Sequence, residues 1–111
     1  MAAPAGDAFI FALCRLGIRP YEARALAALE VLGEANSTEL AEQSGVPRTS
    51  LYGAFEDLVA RNLAVRVDKP GTARWAAIGR PAIASALIAE TQAQADLILR
   101  TLTSGAQPAR G

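Results

Sequence analysis

The stretch Asn36–Leu63, NSTELAEQSGVPRTSLYGAFEDLVARNL, decides the fold. Asn36 is a good helix-capping residue and Glu39 stands three positions on, the spacing at which the two side chains close a capping box. Leu40 and Ala41 supply the apolar side of a short helix. Gly45 then offers the left-handed residue a reversal needs, Val46 can plug the angle between two helices, and Pro47 opens a second helix, where a missing N–H costs nothing. On that second helix Leu51, Phe55, Leu58 and Val59 share one face, which leaves Thr49, Ser50, Gly53, Glu56 and Asp57 on the outer one. Two short helices joined by Ser44-Gly45-Val46-Pro47 read as a helix-turn-helix.

The residues just after Leu63 sharpen the reading. Ala64–Asp68 and Thr72–Ile78 are strand-like runs around Lys69-Pro70-Gly71, the pattern of a β-hairpin. A helix-turn-helix joined directly to such a hairpin is a winged helix, an arrangement that sets one helix N-terminus and one basic loop on a common side to straddle a DNA groove.

Upstream, Asp7 is a candidate cap for a first helix bearing Phe9, Ile10, Phe11, Leu13, Cys14 and Leu16, ended by Gly17. A second helix is expected from about Pro20 to Leu32, with Glu22 near its positive end, Gly33 as its stop, and Tyr21, Ala25, Leu26, Leu29 and Leu32 on one buried face. Downstream, Arg80-Pro81 starts a last helix reaching about Leu102. Its seam of Leu87, Ile88, Thr91, Ala95, Ile98 and Leu102 alternates by threes and fours as a coiled coil does, which points to pairing with the same helix of a second subunit. The other reading is that this helix folds back onto the first one within a single chain. The expected class is therefore mainly α with a small hairpin wing. It divides into a winged helix-turn-helix with its N-terminal helix over residues 1–80, a dimerisation helix over 81–103, and frayed ends at Met1–Gly6 and over 104–111.

Composition narrows the chemistry. The chain has 111 residues, a zero net charge, one cysteine and no histidine. Without histidine or a second cysteine, the usual zinc-ligand sets and the Ser-His and Cys-His catalytic pairs are excluded, so neither an enzyme, nor a metal, nor any other cofactor is expected. Cys14 among Ile10, Phe11 and Leu13 reads as an inert thiol. No leader and no long apolar run is present, so the expectation is a cytoplasmic, nucleoid-associated protein without a membrane partner.

The charge is unevenly spread. Residues 1–44 hold Arg15, Arg19 and Arg24 against Asp7, Glu22, Glu30, Glu34, Glu39 and Glu42, whereas residues 45–80 hold Arg48, Arg61, Arg66, Lys69, Arg74 and Arg80 against Glu56, Asp57 and Asp68. The positive half coincides with the second helix of the motif and the wing, as phosphate binding requires. Arg48 has the planar fork to clamp a phosphate or reach the O6 and N7 of guanine, and Thr49 and Ser50 offer hydroxyls. Tyr52 borders the apolar face, where core and interface are both open to it. Gly53 would be rationalised by close approach to another backbone, DNA included. Lys69 and Arg74 flank the wing tip, while Trp75 reads as a strand residue packed on the domain.

From Leu16 to Pro81 the chain resembles the N-terminal winged-helix domain of TrmB-type prokaryotic transcriptional regulators. The resemblance is carried by Leu16-Gly17 followed by Tyr21-Glu22-Ala23, and by Ser44-Gly45-Val46-Pro47-Arg48 with Tyr52 four positions on. It implies sequence-specific binding to duplex DNA, usually as a dimer, through the helix opened by Pro47 and Arg48 and the wing at Lys69–Arg74. Larger members carry a sugar-binding effector domain, and no sugar site carries over to these residues. Arg19 and Pro20 replace a usual Thr cap and acidic residue, Gly53 a larger side chain, and Ala76 an often basic one.

Two functions are compatible with these residues. One is a small dimeric regulator contacting DNA through Arg48, Thr49, Ser50, Tyr52, Gly53, Lys69 and Arg74. The other, to which the zero net charge, Gly53 and Ala76 lend themselves, is a winged-helix interaction module that docks a transcription partner without binding DNA strongly.

Overall fold

In the computed structural model, which describes residues 5–103, the elements run α1 (Ala5–Arg15), α2 (Pro20–Leu32), β1 (Glu34–Asn36), α3 (Ser37–Ser44), α4 (Arg48–Ala60), β2 (Val65–Arg66), β3 (Arg74–Ala76) and α5 (Arg80–Thr103). This is the winged helix that the sequence predicts, with a strand more than expected. Of the ends expected to fray, Met1–Gly6 and 104–111, residues 1–4 and 104–111 lie outside the described residues, whereas Ala5 and Gly6 already belong to α1.

α2 is the central helix. Ala23, Ala25, Leu26, Ala27, Ala28 and Leu29 are all buried, because α2 is packed by α1, α3 and α4 on successive sides and its run of alanines lets those neighbours approach closely. Two members of its expected face, Tyr21 and Leu32, are instead exposed. The buried surface wraps most of the way around the helix, so a single-stripe pattern misassigns the residues at its ends. Gly33, at φ 83°, ends the helix by donating its N–H to the Leu29 carbonyl. α1 begins two residues before Asp7, which lies within the first turn and favours the positive helix end without being the cap. Leu13 is its buried anchor, while Phe11 and Leu16 face outward.

Short as α3 is, both of its ends are fixed. The Glu39 N–H donates to Asn36 Oδ1 and the Asn36 N–H donates to Glu39 Oε1, each at 2.9 Å. This closes the expected capping box, an arrangement worth about 1 kcal/mol. Gly45 stops the helix in the left-handed conformation, φ 74° and ψ 6°. Val46 is sealed under the turn at 1 % exposure, and its N–H donates to Ser44 Oγ at 3.0 Å.

The sheet has three antiparallel strands in the order β1-β3-β2. Ala35 faces Trp75 and Asn36 faces Arg74 across the β1-β3 pair, so the residue that caps α3 also registers the wing. The wing turn closes between Lys69 and Thr72, whose backbones exchange two hydrogen bonds at 3.0 and 2.9 Å. Pro70 fixes one central position, and Gly71, at φ 77°, takes the positive φ that a type II turn demands of the other.

The core gathers Leu13, Ile18, Leu26, Leu29, Leu40, Leu51, Phe55, Leu58, Leu63 and Trp75, and it also takes in Ile83 and Leu87 from the first turns of α5. From Thr91 to Thr101 every residue of α5 is exposed. That projecting helix gives a radius of gyration of 17.1 Å, where a compact chain of this size would have about 13 Å.

Candidate nucleic-acid interface

The orientation of α4 is set from its inner face. Leu51, Ala54, Phe55 and Leu58 are buried, and Trp75 of β3 lies against them at 1 % exposure. The Trp75 ring stacks on Phe55 with centroids 4.9 Å apart and meets the edge of Tyr52 at 5.4 Å. Each such pair adds about 0.5–1.5 kcal/mol beyond area burial, and together they lock the wing to the helix. Trp75 is thus packed on the domain, as its place in the strand pattern suggests. Tyr52 lies at the edge of the packed face, with its ring against Trp75 and 45 % of the residue in solvent. Asn62, at φ 64°, ends the α4 region in the left-handed conformation that asparagine tolerates.

The helix start and the wing turn face each other. Asn36, Ser37, Thr38, Arg48, Tyr52, Gly71, Thr72 and Ala73 line one shallow cleft of about 260 Å³. The Arg48 Nε donates to the hydroxyl of buried Ser37 at 3.3 Å, and among the described residues Arg48 has no ion pair. Thr49 and Gly53 are exposed and Ser50 half-buried on the outer side of α4.

The wing cations are held differently. Arg74 Nε donates to Glu34 Oε2 at 2.9 Å, its Nη2 lies 3.7 Å from Glu39 Oε1, and Lys69 Nζ lies 3.9 Å from Glu34 Oε2. Arg66 Nε donates to Asp68 Oδ1 at 2.8 Å while its guanidinium sits 5.6 Å from the centre of the Trp75 ring. The hydrogen bond from Arg66 holds the Asp68 carboxyl below the usual carboxylate range. Arg74 is only 22 % exposed at its side chain, so it braces β3 against β1 and α3. Lys69, with a weak partner and 60 % exposure, is the reachable wing cation.

Sequence reasoning missed the cluster at the other end of α4. Arg19, just before α2, donates from Nη2 to Asp57 Oδ2 at 2.6 Å and to Glu22 Oε2 at 3.1 Å. Burial pushes the Glu22 carboxyl up, its hydrogen bond with Asp57 adds to the rise, and Arg19 opposes both. The same bond from Glu22, helped by Arg19, holds Asp57 down. Arg61 makes a paired contact too, with Nε and Nη2 donating to the two oxygens of Glu90 at 3.0 and 2.8 Å. Helical periodicity carries no mark of the Arg61–Glu90 and Arg19–Asp57 contacts, whose partners are 29 and 38 positions apart.

The expected seam on α5 is divided. Leu87 is buried in the chain's own core, whereas Ile88, Thr91, Ala95 and Ile98 are exposed; the Leu102 side chain lies outside the described residues. Leu16, Ala84, Leu87, Ile88, Thr91, Gln92 and Ala95 border an apolar groove of about 530 Å³ between the end of α1 and α5. No group of acidic and cysteine side chains among the described residues could hold a metal ion, and none of the described helices is long and apolar enough to cross a membrane.

The fold matches solved regulators. The archaeal chromatin protein TrmBL2, whose structure is reported to show a novel mode of DNA binding, superposes with a TM-score of 0.80 at 23 % identity over 90 % of this chain. This chain spans only 38 % of the length of TrmBL2. A possible transcriptional regulator from Methanosarcina mazei Go1 matches with a TM-score of 0.63 at 10 % identity, over 85 % of this chain and 84 % of that one. A MarR-family regulator from Silicibacter pomeroyi matches with a TM-score of 0.58 at 24 % identity, over 93 % and 70 %. At these identities the likeness is one of fold, and no curated protein matches the sequence. The family model described as sugar-specific transcriptional regulator TrmB, however, covers residues 13–82, from the anchor of α1 through the whole helix-turn-helix and wing to the start of α5. Over well more than half of its length, then, the chain belongs to the TrmB family of transcriptional regulators.

Proposed function

We propose that this chain is a sequence-specific DNA-binding regulator acting as a homodimer on a pseudo-palindromic duplex site, bound to the nucleoid in the cytoplasm. The observation that carries the reading is the cleft in which Arg48, without an ion pair among the described residues, faces the wing turn beside the outer surface of α4. A helix laid in the major groove from this end presents Arg48, Thr49 and Ser50 to base edges and phosphates, with Tyr52 and Gly53 behind them. Lys69 then reaches the adjoining backbone. Arg74 reaches DNA only by giving up Glu34, so its contribution to affinity is smaller than its charge suggests.

The dimer reading rests on the exposed part of α5. Ile88, Thr91, Ala95 and Ile98 lie past the point where the helix leaves the core, and Ile88 and Ile98 are 63 % and 62 % exposed. Ile98→Glu is expected to convert the dimer to a monomer in light scattering without changing the fold. A monomeric wild type would remove the two-fold site from the proposal.

Fluorescence anisotropy with duplexes selected from a random pool tests the DNA reading. Affinity is expected to fall with salt by a slope of about 0.9 per phosphate contact on logarithmic axes. Arg48→Ala is expected to weaken binding by about 1–3 kcal/mol if the guanidinium reads a base. A flat salt response would favour the partner-docking module instead.

A further inference from the structure

We propose that Glu56 is a specificity determinant of the DNA surface, accepting a hydrogen bond from the N4 amino group of a cytosine, and that Gly53 is what lets it reach the base. The inference rests on the DNA-binding reading above and deepens it.

Thr49, Gly53 and Glu56 stand at i, i+4 and i+7 of α4 and all three are exposed, so they form one stripe opposite buried Leu51, Phe55 and Leu58. The two acids on this side of the helix have different fates. Asp57 is taken up by Arg19 at 2.6 Å, which also holds Glu22 at 3.1 Å. Glu56 has neither a hydrogen bond nor an ion pair among the described residues, and Arg66, the cation that senses its charge, is bound to Asp68.

Gly53 has no role inside the fold that would explain it. Its backbone is helical, and a Cβ placed there would meet nothing within 4 Å. It opens a hollow of about 420 Å³ bounded by Arg19, Tyr21, Ser50, Glu56 and Asp57. A missing side chain in the middle of the outer stripe allows the helix to settle deeper against a groove wall, which brings the next residue of the stripe within range of base edges.

The chemistry then selects the base. An ionised carboxylate only accepts hydrogen bonds. In the major groove guanine offers two acceptors and thymine an acceptor and a methyl group, both unfavourable to Glu56. Adenine offers an amino donor beside the N7 acceptor, and cytosine offers its amino donor with no acceptor next to it. The carboxylate also repels phosphates wherever the helix docks out of register, so it penalises wrong sites as well as favouring the right one. A regulator without net charge gains selectivity from such a residue at the expense of general affinity.

Selection of bound duplexes from a random pool, performed with the intact wild type, Glu56→Gln and Glu56→Ala, tests the proposal. All three are expected to unfold at closely similar temperatures, since Glu56 makes no hydrogen bond or ion pair among the described residues. The wild type should enrich cytosine at one position of each half-site. Glu56→Ala should lose that preference by about five-fold or more and bind random duplex more tightly than the wild type. Glu56→Gln should move the preference toward adenine, whose N6 and N7 fit a carboxamide. Identical selected sites for all three proteins would overturn the role of Glu56 while leaving the DNA reading standing. A wild type that enriches no site would overturn both.

Discussion

The two faces of α4 are built on opposite terms. On the inner face Leu51, Phe55 and Leu58 are fully buried and Trp75 stacks on them, so nearly every atom has an internal partner. On the outer face, among the described residues, the Thr49 and Glu56 side chains make no hydrogen bond or ion pair, Gly53 has no side chain, and Arg48 at the helix start bonds the Ser37 hydroxyl. Substitutions on the first face should therefore be read in stability and those on the second in binding. The wing shows the intermediate case, in which Arg66 and Arg74 are cations by sequence but braces by structure, each bonded to a carboxylate.

Trp75→Ala should break the inner face most severely. It removes the ring that joins the wing to α4, and a loss of about 3–5 kcal/mol is expected in denaturant unfolding, with DNA binding lost only as far as folding is lost. Arg48→Ala sharpens the contrast from the other side, because the loss of about 1–3 kcal/mol proposed for binding should appear with only the small drop in melting temperature that losing its long hydrogen bond to Ser37 entails. Gly53→Ala separates the two readouts within one residue. The helix should gain about 0.5–1 kcal/mol as measured by thermal unfolding, while affinity for the selected duplex falls because the added methyl group stands where DNA approaches. A gain in both would show that nothing docks over Gly53.

The smallest expected effect is at the C-terminal end of α4, where Arg61 fastens α5. Its hydrogen bonds hold the Glu90 carboxyl below the ordinary glutamate value. A carboxyl lowered in the folded state stabilises the fold fully above its unfolded value, and that contribution fades as pH falls through the folded value. Glu90→Gln should accordingly cost about 0.5–1 kcal/mol at neutral pH, the range for a partly solvent-screened pair. The gap to wild type should close in acid, as pH-dependent unfolding curves would reveal.

Legibility in the sequence tracked the range of each interaction. The capping box, the left-handed Gly45, the plug at Val46 and the wing turn are decided by residues within four positions of one another, and all are visible in the chain. β1 is not, because three residues cannot show a period and its strand character comes from Trp75 and Arg74, some forty positions away. The tie of Arg19 to Asp57 and the clamping of Arg74 escaped for the same reason, since each depends on a carboxylate brought up by a distant element. For α5 the apolar spacing was legible, but one stripe serves two surfaces. Leu87 turns into the chain's own core while Ile88, its neighbour, faces out, a division that only the docking of the first helical turns determines. Among the candidate DNA-contacting residues, Arg48 and Lys69 are exposed in the structure. The pattern gave no sign that Arg74 is already engaged, nor that Glu56 on the outer stripe has no hydrogen-bond or ion-pair partner among the described residues.

If the outer face of α4 and the wing turn form one DNA-binding surface, a backbone amide NMR titration of the intact chain with its selected duplex will map it. Shifts are expected to concentrate at Arg48, Thr49, Ser50, Gly53, Glu56 and Lys69–Thr72, weakening as salt is raised. Shifts confined to Leu16, Ile88 and the exposed length of α5, or none at the α4 and wing residues under saturating DNA, would contradict that reading.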